Sequence, residues 1–247
     1  MIKADIQFVR SLAEKRVRDQ ERLFVAEGSK LTEEILASKF VVRRIYTTRT
    51  DLKGKNIEVV DQHEMERISQ LKSANDTLAV VEQPHYKLSV ANLIGKLIVA
   101  LDGVQNPGNL GTIIRLADWF GVEDIICSRD TADCFNPKVV QATMGAILRV
   151  RVHYTDNLPA LLQEAHREGL NIYGTLLDGG NIYDERLASS GIIVMGNEGR
   201  GITDETRKTL THRLLIPPYP ADAPTSESLN VAMATGIILA EFRRQQR

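Results

Sequence analysis

Two cysteines in 247 residues, Cys127 and Cys134, are too few for a disulfide framework, and no CxxC pair is present. Long apolar runs are missing as well: none approaches the ~18 residues that a bilayer-spanning helix needs. The opening stretch MIKADIQFVRSLAEKR is charged throughout and has no signal-peptide apolar core, so no membrane role and a cytoplasmic location are expected. HEMER has one histidine and no second four residues on, and no Cys/His cluster occurs, so no metal site is expected. Net charge is small too, at −1, and any nucleic-acid partner must be met by local patches. The stretch 39–55, KFVVRRIYTTRTDLKGK, holds six basic residues and one acidic, and the chain closes with RRQQR. A solvated surface explains either patch equally, so charge alone does not identify a partner.

What is present is ordinary apolar content, 43%, in two successive patterns. The runs RLFVAEG, VVRRIYTT, IEVVD and TLAVVEQ read as short strands, with SKLTEEILAS and QHEMERISQL as helices between them. That is a small α/β domain, ending at a linker near PHYKLS. From Lys96 the strands become almost continuously apolar: KLIVALDGV, EDIICS, LRVRVHY, NIYGTLL, GIIVMG and RLLIPP. Helical segments separate most of them, including NPKVVQATMGAI and NLPALLQEAHREG. This pattern predicts a parallel sheet covered on both faces, with ligands bound beyond the carboxyl ends of its strands. The expected domains are 1–88 and 89–247.

Three loops fit that location. In LDGVQNPGNLGTIIRLADWFG, residues 101–121, Asn106-Pro107-Gly108 reads as a turn. Asn109 is placed to cap the following helix, and Gly121 to stop it. Arg115 interrupts the helix's apolar residues. The loop matches neither GxGxxG nor GxxxxGK[ST], and taken alone it is an ordinary capped helix with a solvated arginine. The second loop, GNEGRG, puts glycines around Glu198, either as a tight turn or as backbone held close to a ligand. The third, YPADAPTSESLN, leads into a long apolar helix that Ser226 or Ser228 can cap. Asn230 would then fall in the first turn, where a plain helix gains nothing from asparagine.

Together and in this order, Asn109–x5–Arg115, GNEGRG and IP…SLN resemble the three motifs of the SpoU/TrmH class of SPOUT RNA 2′-O-ribose methyltransferases. FNPKVVQATMGAILRVRV resembles the same class between its first two motifs. RLFVAEGSKLTEEIL is similar to the L30e-like RNA-binding domain that precedes the catalytic domain in the rRNA-modifying branch. The resemblance implies an α/β SPOUT catalytic domain with a C-terminal trefoil knot, an exception to the rule that chains avoid knotting. It implies S-adenosylmethionine as cofactor, held near Gly196, Ile216 and Leu229, and RNA as substrate, with rRNA ahead of tRNA. It also implies a homodimer in which Arg115 reaches the partner's site, and Asn109, Arg115, Glu198, Ser228 and Asn230 as the active-site set. Lys39, Arg43, Arg44 and Arg49 of the basic stretch are the candidates for RNA contact. One departure stands out: the connector YPADAPTSE is about four residues longer than the class's third motif has, and it lacks that motif's glycine.

Overall fold

The computed structural model describes residues 1–52, 54, 56–220, 226 and 228–246. Lys53 and Lys55 of the basic stretch, residues 221–225 and 227 of the long connector, and Arg247 of RRQQR lie outside the described residues. The chain forms two compact units, Met1–His85 with Asp133–Leu148, and Tyr86–Ala132 with Arg149–Arg247.

In the first unit, helices α1 (Lys3–Ser11) and α2 (Lys15–Glu21) precede β1 (Leu23–Glu27), where the sequence pattern suggests no element. Then follow α3 (Ser29–Leu36), β2 (Val42–Thr47), β3 (Ile57–Val59), α4 (Gln62–Ile68) and β4 (Thr77–Glu82). The four strands lie in the order β1-β4-β2-β3, with β4 antiparallel to both neighbours and β3 parallel to β2. Side chains alternate across the sheet with period two. Val25, Leu78 and Val80 meet Ile6 and Val9 of α1 and Met65 and Ile68 of α4. Phe24, Ala79 and Val81 meet Ile35 of α3 on the other side. Asp61 and Glu64 form a capping box that starts α4.

Helix α6 (Pro137–Thr143) comes from the middle of the sequence yet completes this unit. Val140 joins the Phe24 cluster, and Phe135 packs on Phe24 with ring centroids 4.8 Å apart. The expected helix NPKVVQATMGAI stops at Thr143, because Met144 takes a left-handed conformation with φ 51°. Ala146 and Ile147 fall in a separate turn.

The second unit contains β5 (Leu97–Asp102), α5 (Pro107–Trp119), β6 (Asp124–Ser128), β7 (Arg151–Thr155), α7 (Leu158–Arg167) and β8 (Ile172–Asn181). It ends with β9 (Gly191–Gly196), α8 (Asp204–Arg207), β10 (His212–Leu215) and α9 (Val231–Arg244). All strand pairings are parallel, in the order β10-β8-β9-β5-β6-β7. Ile98, Ala100, Ile126, Ile192 and Val194 pack against Leu158, Leu162 and Ala165 of α7. The alternate residues turn to the opposite face, where Tyr173 of β8 meets Phe242 of α9 edge-on at 5.0 Å. Near-continuous apolar strands are what burial on both faces requires. Helices α5 and α9 lie side by side and run the same way: Asn230 bonds Asn109 at one end, and Arg243 bonds the carbonyls of Phe120 and Gly121 at the other.

Candidate active site

The loops after β5 and β9 and the start of α9 meet at the carboxyl end of the parallel sheet. Pro107 occupies the first position of α5, where its missing N–H costs nothing. Asn106, not Asn109, is therefore the cap: its side-chain oxygen accepts from the N–H groups of Gly108 and Asn109 at 2.8 and 3.1 Å. This corrects the expected capping role of Asn109 and frees that residue's amide. Its Nδ2 donates to Glu198 Oε1 at 2.8 Å. Its Oδ1 accepts from Asn230 Nδ2 at 3.0 Å.

Asn230 is itself the cap of α9, its Oδ1 accepting from the N–H groups of Ala232 and Met233 at 3.0 and 3.3 Å. Neither Ser226 nor Ser228 caps this helix, which begins later than the serines suggest. Each end of the Asn230 amide is thus committed, the oxygen to its own helix and the nitrogen to Asn109. The result is a chain of bonds, Asn230 to Asn109 to Glu198, that joins all three motifs. Glu198 Oε2 has no partner among the described residues.

Beside this chain opens a cavity of about 680 Å³, within the ~300–1,000 Å³ usual for small-molecule and cofactor sites. Gly196, Ile216 and Leu229, the three expected cofactor contacts, all line it, as do Glu198 and Ser228. Leu176, Met195, Ile202, Leu214 and Val231 supply an apolar wall, while Asp178, Arg200 and Arg207 supply charge. An apolar wall beside groups of both signs suits a molecule with a flat heterocycle and a zwitterionic end. Gly196 allows the tight closure of this wall, since a Cβ there would run into the backbone of Gly201 and Ile202.

Arg115 lies on the exposed side of α5, does not line this cavity, and makes no hydrogen bond or ion pair among the described residues. Of the candidate RNA contacts, Lys39 is exposed. Arg43 pairs with Glu82 at 2.7 Å, Arg44 with Glu58 at 2.9 Å, and Arg49 with Asp51 and Glu33 at 2.7 and 3.3 Å. Three of the six basic residues of this stretch are thus ion-paired, with Glu82, Glu58 and Glu33 coming from other elements and Asp51 from the stretch itself.

Several polar residues of the site carry no separate signal in the sequence. Asp102, buried at the end of β5, accepts from the N–H and hydroxyl of Thr203, both at 2.8 Å. Asn197 donates to the carbonyl of Gly103 at 2.6 Å. Arg200 pairs with Asp130. Asp130 is held below the usual carboxylate range, first by the Ser128 hydroxyl and then by Arg200, against the opposing effect of burial.

The fold and this arrangement define a SPOUT-type catalytic domain, the trefoil-knot class of RNA 2′-O-ribose methyltransferases, behind a small α/β substrate-binding domain. The chain belongs to the SpoU rRNA methylase family, whose model matches residues 96–240. The MRM3-like substrate binding domain matches residues 3–88. Among its relatives is the 23S rRNA (guanosine(2553)-2′-O)-methyltransferase of Bacillus subtilis, 32% identical over 95% of this chain and 94% of that protein. A putative RNA methyltransferase of the TrmH family from Porphyromonas gingivalis has a solved structure with TM-score 0.88. It is 38% identical to this chain and covers 99% of both. An AdoMet-bound rRNA methyltransferase from Sinorhizobium meliloti superimposes with TM-score 0.86 at 29% identity, covering 99% of this chain and 96% of its own.

Proposed function

We propose that this chain transfers the methyl group of S-adenosylmethionine to a ribose 2′-hydroxyl of rRNA, and that it does so as a homodimer. The observation that carries the reading is the Asn230–Asn109–Glu198 chain at the mouth of a cavity lined by Gly196, Ile216 and Leu229. Two relatives that match along nearly the whole chain support rRNA as the substrate, one named a 23S rRNA methyltransferase and one described as an rRNA methyltransferase, and the AdoMet bound to the second supports the cofactor.

The sulfonium of the cofactor supplies a methyl group already activated for transfer, so the protein's task is to align an oxygen, loosen its proton and support developing charge. Residues of the cavity wall, Gly196, Ile216 and Leu229 among them, would hold the cofactor. Glu198, fixed through Oε1, keeps Oε2 open to accept a hydrogen bond from the substrate hydroxyl. Arg115 is a poor general base, since guanidinium stays protonated at any working pH. Its role is a bidentate clamp on the phosphate next to the target ribose, which orients the 2′-hydroxyl and lowers its pKa electrostatically. Lys39 and the ion-paired arginines 43, 44 and 49 supply phosphate contacts from the first unit.

Because Arg115 does not line the cavity of its own chain, the clamp needs a second copy: Arg115 of the partner subunit serves this cavity. The outer faces of α5 and α9 support that assembly. Trp119 is 83% exposed and Met233 63%, with half-buried Leu116 and Ile237 beside them, a larger apolar exposure than helices of a monomer usually show.

The test incubates the protein with S-adenosylmethionine carrying a labelled methyl group and unmodified 23S rRNA, followed by alkaline digestion. Label in an alkali-resistant dinucleotide is the expected result, because a methylated 2′-oxygen cannot assist cleavage of the next phosphodiester. Label released only in mononucleotides would overturn the ribose assignment.

A further inference from the structure

We infer that Arg200 and Asp130 are positioning residues for methyl transfer: by pairing across two loops they hold Glu198 against Asn109. The inference rests on the methyltransferase reading of the site. The pair closes a circuit of bonds around one residue, Gly103. The N–H of Gly103 donates to Ser128 Oγ at 2.8 Å, and that hydroxyl donates to Asp130 Oδ1 at 2.6 Å. Asp130 Oδ2 accepts from Arg200. The N–H of Arg200 donates to Asn197 Oδ1 at 3.1 Å, and Asn197 Nδ2 returns to the carbonyl of Gly103. Glu198 sits inside this circuit, between Asn197 and Arg200.

Gly103 shows how tightly the circuit is drawn. Its φ is +73°, and a Cβ there would lie 2.5 Å from the Arg200 guanidinium and 2.9 Å from the Asp130 carboxylate. A side chain there would be strained by the positive φ and would push the ends of both paired side chains aside. The loop is also fastened at its ends, by the two Thr203 bonds to Asp102 and by paired backbone bonds between Asn197 and Gly201. Among the described residues, 198–200 are held instead by the Asn109 bond to Glu198, by the N–H groups of Gly199 and Arg200 on Asn197 Oδ1, and by the Arg200 side chain.

Arg200 and Asp130 are each about half exposed, and an ion pair so exposed adds little to folding stability. Its consequence is geometric. A displacement of about 1 Å at a reacting centre can cost up to ~100-fold in rate, and Glu198 is two residues from the clamp. A role in positioning and a role in folding therefore predict different readouts.

The experiment measures kcat on 23S rRNA, the Kd of S-adenosylmethionine by equilibrium dialysis, and Tm for Arg200→Ala, Asp130→Asn, the double variant and Arg200→Lys. Each single removal lowers kcat at saturating S-adenosylmethionine about tenfold while Tm changes by less than about 2 °C; Kd sets the saturating concentration, since Arg200 also lines the cavity. The double variant loses no more than the worse single, since both open the same link. Arg200→Lys keeps the charge beside Asp130 and recovers at least about half of the lost activity. Unchanged kcat in the singles, losses that multiply in the double variant, or a fall in kcat matched by a fall in Tm each overturn the inference. A wild-type protein that transfers no methyl group overturns the functional reading and this inference with it. An active wild type beside unaffected variants overturns this inference alone.

Discussion

Asn230 donates its side-chain amide to Asn109 across 121 residues of sequence, at 3.0 Å, while its oxygen caps the helix that follows. One residue thereby ties the start of α9 to the first turn of α5. The arrangement predicts different costs for different substitutions. Asn230→Ala removes the cap and the link together, with about 1 kcal/mol lost from stability and a further ~10–100-fold from kcat through the released Asn109. Asn230→Asp keeps the cap and replaces the donor to Asn109 with an acceptor that faces Asn109 Oδ1. It should match the alanine variant in kcat and the wild type in urea midpoint. Equal midpoints for alanine and wild type would remove the capping role, and full activity in the aspartate variant would remove the link.

Arg115 offers a cleaner test of chemistry. A phosphate clamp works through charge and two donors, and lysine keeps the charge but not the fork. Arg115→Ala should lower kcat by about 100–1,000-fold, whereas Arg115→Lys should stay within about 30-fold of wild type. Steady-state methylation at saturating cofactor measures both. Equal and complete loss in the two variants would count against an electrostatic role.

The order of the three motifs was enough to mark Asn109, Glu198 and Asn230, and the structure brings these three into one bonded chain. Apolar periodicity marked the parallel sheet for the same reason: burial on both faces leaves near-continuous runs. One local signal was passed over: Pro107 favours the first helical position, which makes Asn106 the cap in place of the expected Asn109. The rest was non-local. Asp133–Leu148 looks like part of the second unit, because sequence order says nothing about the Phe24 surface that receives it. Arg43, Arg44 and Arg49 read as a basic stripe, yet Glu82, Glu58 and Glu33 arrive from elsewhere to pair with them, beside Asp51 of the same stretch. Charge in sequence is local, but electrostatic potential is not.

The exposed faces of α5 and α9 predict the assembly state. Trp119→Glu with Met233→Glu places two carboxylates on the apolar face that a dimer would bury. The double variant should sediment as a monomer of half the wild-type mass and lose at least about 100-fold in kcat, because Arg115 then has no second cavity to enter. Its Tm should change little if each chain folds alone. A monomeric wild type with full activity would remove the two-copy site.

Asp124 predicts the acid limb of stability. It is buried at the start of β6 and accepts from His153 at 2.9 Å, from Arg151 at 2.8 and 2.7 Å, and from Lys96 at 3.2 Å. Burial alone would raise its pKa, but the bonds from His153 and Arg151, with Arg151's charge and the Lys96 bond, carry it well below the ordinary value. A folded-state pKa below the unfolded ~3.9 means that its stabilisation is complete above about pH 4. It is then lost as pH falls through the folded value. Asp124→Asn should flatten the loss of stability between about pH 4 and 2, and at pH 7 should cost only about 1 kcal/mol, because Arg151 and Lys96 are each about a third exposed and keep Glu123 as a partner. Urea midpoints measured against pH check both. An unaltered acid limb in the variant would assign that slope to other carboxylates.

Arg18 and Asp133 predict how the first unit depends on the inserted segment. Arg18 is 1% exposed, and its guanidinium donates to Asp133 Oδ2 at 3.1 and 2.6 Å and to the carbonyls of Leu12 and Ala13 at 2.8 and 2.6 Å. Removing the carboxylate strands a buried charge, so Asp133→Ala should cost about 3–5 kcal/mol. Replacing both partners by apolar residues of similar volume removes the charge along with its partner. Arg18→Met with Asp133→Leu should therefore be more stable than Asp133→Ala alone, by about 1–3 kcal/mol. The same argument makes residues 1–88 incomplete as a fragment, since they lack Asp133, Phe135 and Val140. Such a fragment should show weak amide protection around Phe24 and Ile35, while the full chain protects both. Equal protection in fragment and full chain would show that the insertion merely rests on a unit that folds without it.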